Sequence, residues 1–339
     1  MGKRRKIVHI KILKVRAGLF LSLDAIAPKI CQITWQVLYG LLLFMNIKIG
    51  SIFKLLQEAF KEWQDDKVSL LAAALAYYTV FSITPLLVIA IAIAGAVFGQ
   101  DTARGEILQQ INSLVGEKGA QAIEMALANA DQPQLGSIAS IISVVILLIG
   151  ASGVFAQLQQ ALNTVWEVKA KPNGGIGEFI RKRLLSFGMV LVIGFLLLVS
   201  LVLSAMLSGI GKLELNILPG LAPVWQVVNF AVSFGFVALL FAFIYYYLPD
   251  VKIRWKDVWV GAIITALLFT VGKFLIGLYL GRGSLGSTYG AAGSLIVFLT
   301  WVFYSAQILL FGAEFTQVYA RKYGRKIRPN NHAEFTESL

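Results

Sequence analysis

Six stretches of the chain stay apolar for longer than the roughly 18–20 residues a helix needs to cross a bilayer. They run at about 69–98, 137–161, 186–208, 225–248, 257–280 and 291–318. None shows the ten-residue alternating segments of a membrane β-barrel. The pattern therefore predicts an all-α, polytopic membrane protein with six transmembrane helices. Two further segments are amphipathic. Over 52–64, Phe53, Leu56, Phe60 and Trp63 fall on one helical face, with Lys54, Glu58, Lys61 and Glu62 on the others. This predicts a helix lying in the headgroup layer or packed on the ends of the bundle. Between the first two spans, Ile107, Ile111, Leu114 and Val115 form one stripe and Ala122, Met125, Ala126 and Asn129 a weaker one. Gly116 and Gly119 punctuate the two, which predicts a small helical hairpin on the outer face.

Composition agrees with lipid as the solvent. The 339 residues are 58% hydrophobic and 14% charged, against about 45–50% apolar and about 25% charged in soluble domains. A typical soluble enzyme and a disordered chain are both excluded. A formal charge of +12 would suggest nucleic acid in a soluble protein, but the placement of the charges gives another meaning. Residues 1–68 carry twelve Lys/Arg, 162–185 five, 249–256 three, and the tail from Arg321 five; the alternate loops carry two, one and one. The split of 25 against 4 places both termini in the cytoplasm. The implied partners are membrane lipids, not nucleic acid. The chain divides into a basic extension at 1–50, a membrane domain at 51–320 and a basic cytoplasmic tail at 321–339. Residues 31–47 are apolar but short for a crossing. A span there would strand eight Lys/Arg of residues 1–29 on the wrong side, so the segment reads as interfacial or re-entrant. Asp24 and Pro28 around Ala25-Ile26-Ala27 disfavour signal-peptide cleavage.

Polar residues inside apolar spans are the candidate functional positions. On the sixth span Gly293, Thr300, Gln307 and Glu314 recur every seven residues, with Tyr304 on the same stripe. That face is predicted to line the bundle interior or a watery path. Glu314 lies about 10 Å from the inner boundary, whereas Lys273 on the fifth span lies about 24 Å deep, so the two are not predicted to pair. Pro85 interrupts the first span, with Ser82 and Thr84 available for the freed backbone groups; Ala72, Ala73, Ala74 and Ala76 precede it as a small-residue surface. Gln159 and Asn163 share a face at the end of the second span, where amides usually bridge helices. The five glycines of 281–293 predict a tight outer turn. Cys31 has no partner for a disulfide, and one thiol with His9 and His332 makes no typical zinc site, so no metal or cofactor is predicted. No G-x-x-x-x-G-K-[ST] motif for ATP occurs.

The segments LAAALAYYTVFSITPLL, GVFAQLQQALNTVWEV, LPDVKIRW, GAIITALLFTVGKFLIGLY and YGAAGSLIVFLTWVFYSAQILLFGAEFTQVYA resemble the YihY / virulence factor BrkB family over about residues 52–328. The resemblance implies a bacterial inner-membrane protein with six membrane helices. Its motif positions here are Tyr77, Tyr78, Ser82, Pro85, Asn163, Trp166, Lys273, Tyr289, Gly290, Gln307 and Glu314. Members of the family have been described as a ribonuclease, and others are linked to serum resistance, envelope integrity or lipid movement. No carboxylate cluster with metal spacing supports a nuclease, so no enzymatic activity is predicted. The leading expectation is a transporter or flippase for a lipid or amphiphile. Its path is predicted to run past Glu314, Gln307, Tyr304, Thr300, Asn163, Gln159, Lys273, Pro85, Ser82 and Tyr78. The alternative is a non-transporting scaffold for the envelope, and either allows an oligomer.

Overall fold

A computed structural model describes residues 49–128, 138–171, 188, 222–282, 293–324 and 326–336. The chain divides into two units, Met1–Lys54 and Leu55–Leu339, and the fold below is that of the second. The predicted segment 31–47, the third span, and most of the glycine-rich turn, with Tyr289 and Gly290, lie outside the described residues. In chain order the helices are α1 Ile49–Asp65, α2 Val68–Phe98, α3 Gln100–Ala128, α4 Ile138–Val165, α5 Ala222–Tyr247, α6 Trp255–Arg282 and α7 Gly293–Tyr323. Among the described residues, four helices are long and apolar enough to cross a membrane: α2, α5, α6 and α7. Each begins and ends within a few residues of a predicted span. The predicted second span coincides with α4.

The core forms where α2, α4, α5, α6 and α7 meet, around Leu75, Leu162, Trp166, Tyr245, Val258 and Leu310. Helices α6 and α7 approach unusually closely. A Cβ on Gly261 would lie 1.7 Å from Thr316 Oγ1, and one on Gly312 would lie 1.9 Å from Thr265 Oγ1. Each helix thus seats a threonine of its partner over a glycine, the small-residue packing that brings membrane helices together in the absence of a hydrophobic drive. Both hydroxyls are bonded within their own helices, Thr265 to Gly261 O at 2.8 Å and Thr316 to Gly312 O at 2.6 Å. Tyr245 of α5 joins them by donating to Leu309 O at 2.6 Å.

Two amphipathic predictions need correcting. On α1 the fully buried residues are Leu55 and Ala59, packed with Phe315 and Val318 of α7. Of the predicted stripe, Leu56 and Trp63 are partly buried, while Phe60 stays 50% exposed and stacks on Trp63. The buried face is rotated because it must follow α7, a partner that the segment's own pattern does not reveal. The region between the first two spans begins only one residue after α2. Gly99, at φ 85°, makes the reversal, a backbone state that glycine adopts without a Cβ clash. Gly116, at φ 78°, breaks α3 into two helical pieces. Ile107, Ile111 and Val115 pack as predicted against α2 and α7, but the second piece buries Ala120, Ile123 and Leu127. Met125, from the predicted stripe, is exposed.

The all-α pattern also omitted two short antiparallel ladders. β1 (Val168–Ala170) follows α4 and pairs with β4 (Ala333–Phe335); β2 (Val251–Lys252) follows α5 and pairs with β3 (Arg328–Pro329). The segment after α7 therefore folds back and ties the ends of α4 and α5 together. Backbone bonds extend the tie, from Lys171 N to His332 O, Asn330 N to Asp250 O and Thr336 N to Glu167 O, at 2.8–3.0 Å. Strands of two and three residues carry too little periodicity to be recognised from sequence.

Candidate functional site

The polar stripe of α7 lies on one face, but its members differ in what they touch. Thr300 donates to Ile296 O of its own helix at 2.8 Å. Gln307 accepts from Trp63 Nε1 at 3.1 Å and donates to Ser69 Oγ at 3.2 Å, tying α7 to α1 and α2. Tyr304 packs over Gly272 of α6, where a Cβ would lie 2.9 Å from its ring. Glu314 is different. It is 0% exposed, and neither carboxylate oxygen has a hydrogen-bond partner that is a fixed donor.

What faces Glu314 is a second carboxyl, that of Asp66, within hydrogen-bonding reach. Asp66 sits in the two-residue turn between α1 and α2. Its N–H bonds Glu62 O at 2.8 Å, and Lys67 follows in the left-handed region at φ 52°. Two carboxyls hydrogen-bond one another only when one carries a proton. Burial pushes the Asp66 carboxyl up to about 6; the charges of Glu167, Glu62 and Asp65 push the same way, and the bond to Glu314 opposes them. Arg321, two turns beyond Glu314, pairs with Glu62 and lies 3.4 Å from Glu167. Buried Gln317 donates to Glu167 at 3.2 Å, while its own Oε1 is unpartnered. Trp166 Nε1, beside Glu167 in the chain, is a buried donor without a partner.

The second polar centre was not foreseen. Asp250, in the turn after α5, is 3% exposed. Asn163 donates to its Oδ2 at 2.9 Å, Gln159 to its Oδ1 at 3.4 Å, and Asn163 Oδ1 accepts the Asp250 N–H at 2.8 Å. His332 Nε2 closes the shell 2.9 Å from Oδ1. The pattern at Gln159 and Asn163 predicted amides bridging two helices; their partner is instead Asp250, in the turn after α5. Two signals were present. Asp250 interrupts the apolar Leu-Pro-Asp-Val connection, and Asn163 stands four residues before Glu167, which lies just beyond the end of α4.

The other predicted residues are helix-packing groups or lie apart. Ser82 donates to Gly150 O of α4 at 2.7 Å, not to the backbone freed by Pro85. Pro85 and Tyr78 press on Gly150 and Gly153, where Cβ atoms would lie 3.1 and 3.7 Å from them. The glycines of α4 provide the room that the proline ring needs. Lys273 is exposed on α6, and no hydrogen bond or ion pair reaches it among the described residues. It is not brought to Glu314.

The family model of virulence factor BrkB matches residues 59–337. The chain belongs to the virulence factor BrkB family. The match runs beyond residue 328, where the sequence resemblance was drawn, and so takes in His332. Among curated relatives, the UPF0761 membrane protein of Verminephrobacter eiseniae is 29% identical over 77% of this chain and 60% of its own length. That of Teredinibacter turnerae is 28% identical over 80% of this chain and 61% of its own. A third, from Mannheimia succiniciproducens, is 28% identical over 76% of this chain and 86% of its own. The chain spans about three-fifths of the length of the first two relatives. No solved structure matches. This BrkB-family chain is an integral membrane protein whose apolar helices enclose two unlike buried carboxylates.

Proposed function

We propose that the protein is a multi-pass transporter of the bacterial inner membrane, moving a lipid or other amphiphile, and that it is not an enzyme. In this reading six helices span the bilayer, both termini are cytoplasmic, and α1 lies at the cytoplasmic headgroup layer. The observation that carries it is Glu314, a fully buried carboxylate on a polar helix face with no donor for either oxygen. An uncompensated acid is costly inside a membrane protein. A static bundle gains nothing from it, whereas a protein that changes state can use it.

Proteoliposomes holding the full chain, with a labelled phospholipid in one leaflet, test the reading. The wild type is expected to move the label between leaflets, and Glu314→Gln is expected to lose most of that movement. A wild type that moves neither phospholipid nor ions would sink the proposal.

A second reading has its own support. Gln307 and Ser82 both hold helices together, as in an envelope scaffold. A scaffold predicts no transport in the wild type and none lost in Glu314→Gln.

A further inference from the structure

We infer that the Asp66–Glu314 carboxyl pair is a binding site for one exchangeable proton. As a coupling site for transport it rests on the reading above, but the proton can be tested with no transport assay. Four observations converge on it. Glu314 is completely buried and both its oxygens lack a donor. The group within reach is another carboxyl, which can satisfy it only through a shared hydrogen. Gln317, 4% exposed, turns its Nε2 to Glu167 in the same cluster and leaves Oε1 unpartnered. Among the described residues no three His, Cys, Asp or Glu side chains are grouped to hold a metal ion.

The surrounding charges favour one proton over none. Glu62 and Asp65 face the pair from α1, Glu167 from just beyond α4 and Arg321 from α7 itself. Arg321 is already engaged by Glu62 and Glu167. With both members ionised, two more negative charges would stand in a cluster with that single guanidinium. Like charges sharing a buried site hold a proton between them, and the pair titrates as a unit. On release the O–H bond breaks, its electron pair stays on the carboxylate, and the proton passes to water by way of Asp66, the half-buried member. The pair goes from one negative charge to two. That repulsion acts between the α1–α2 turn and α7, so proton loss drives these elements apart.

Difference infrared spectroscopy tests this on the full chain reconstituted in phosphatidylethanolamine–phosphatidylglycerol vesicles, in H₂O and in D₂O. The expected result is one protonated-carboxyl band that is still present at neutral pH, once Asp66 alone would have ionised, fades only as pH is raised further, and shifts in D₂O. It should be absent from both Glu314→Gln and Asp66→Asn and kept by Glu58→Gln. Asp66 lies in a turn, so its variant gives a reading even where Glu314→Gln fails to fold. No such band in the wild type, its survival in Asp66→Asn, or its displacement by sodium at constant pH would each overturn the inference. A protein with the band and no transport refutes the transport reading alone; one that transports without the band refutes the proton site alone.

Discussion

Asp250 and Glu314 are both buried carboxylates, and their surroundings are opposite. Asp250 receives Asn163 and Gln159, has His332 against it, and its own N–H is taken by Asn163. Glu314 receives no fixed donor and faces another acid. A fully satisfied buried network rigidifies the elements it joins. A buried group left unsatisfied raises the energy of the state that contains it. The first centre is therefore the joint that fixes the returning segment to α4 and α5. The second is the place where the fold holds a charge in tension.

That contrast yields predictions of decreasing size. Asp250→Ala should be the most damaging, since it leaves the Asn163 and Gln159 amides facing a gap. A loss of about 3–5 kcal/mol is expected for breaking a buried charged network, read as lost folded yield or a large drop in melting temperature in mild detergent. An Asp250→Ala protein that melts like the wild type would dissolve the distinction. Gly261→Ala should cost about 1–3 kcal/mol by overpacking, because its Cβ meets Thr316. The double change with Thr316→Ala should recover part of the loss, a coupling that a double-mutant cycle measures.

Smaller effects probe the acid side. Folded Asp66 titrates at about 6, above its ordinary value of 3.8. Its contribution to stability is therefore complete below about 4 and is lost as pH rises through about 6. The wild type should melt higher at acid pH than at neutral pH, and Asp66→Asn should flatten that dependence; an unchanged slope in the variant would assign it to other groups. Smallest of all, removing the exposed Lys169–Glu334 pair, 3.7 Å apart, should change stability by less than about 1 kcal/mol. A larger loss would mean that the β1–β4 ladder depends on this charge pair more than on its backbone bonds.

Much of the helical frame was legible because each span is read from its own residues. The predicted run at 69–98 became Val68–Phe98 and that at 257–280 became Trp255–Arg282. The seven-residue recurrence on α7 also correctly set Thr300, Gln307 and Glu314 on one face. What spacing did not reveal was which of them had partners. Those of Gln307 are Trp63 and Ser69, more than 230 residues away. Asp250 looked like an ordinary loop residue because its partners come from α4 and from the returning tail. The rotated face of α1 failed for the same reason: Leu55 and Ala59 are buried by α7, and no pattern within residues 52–64 records that. Local periodicity reports which elements form; satisfaction of polar groups depends on tertiary partners.

The most direct measurement compares melting of the wild type, Asp250→Asn and Glu314→Gln in one detergent at neutral pH. Both substitutions are nearly isosteric, so packing is held constant. The account predicts that Asp250→Asn melts well below the wild type, because a carboxylate with matched donors has lost its charge. It predicts that Glu314→Gln melts at or above the wild type, because the new amide can donate to Asp66. Equal destabilisation by the two substitutions would contradict it, for Glu314 would then be a structural tie like Asp250.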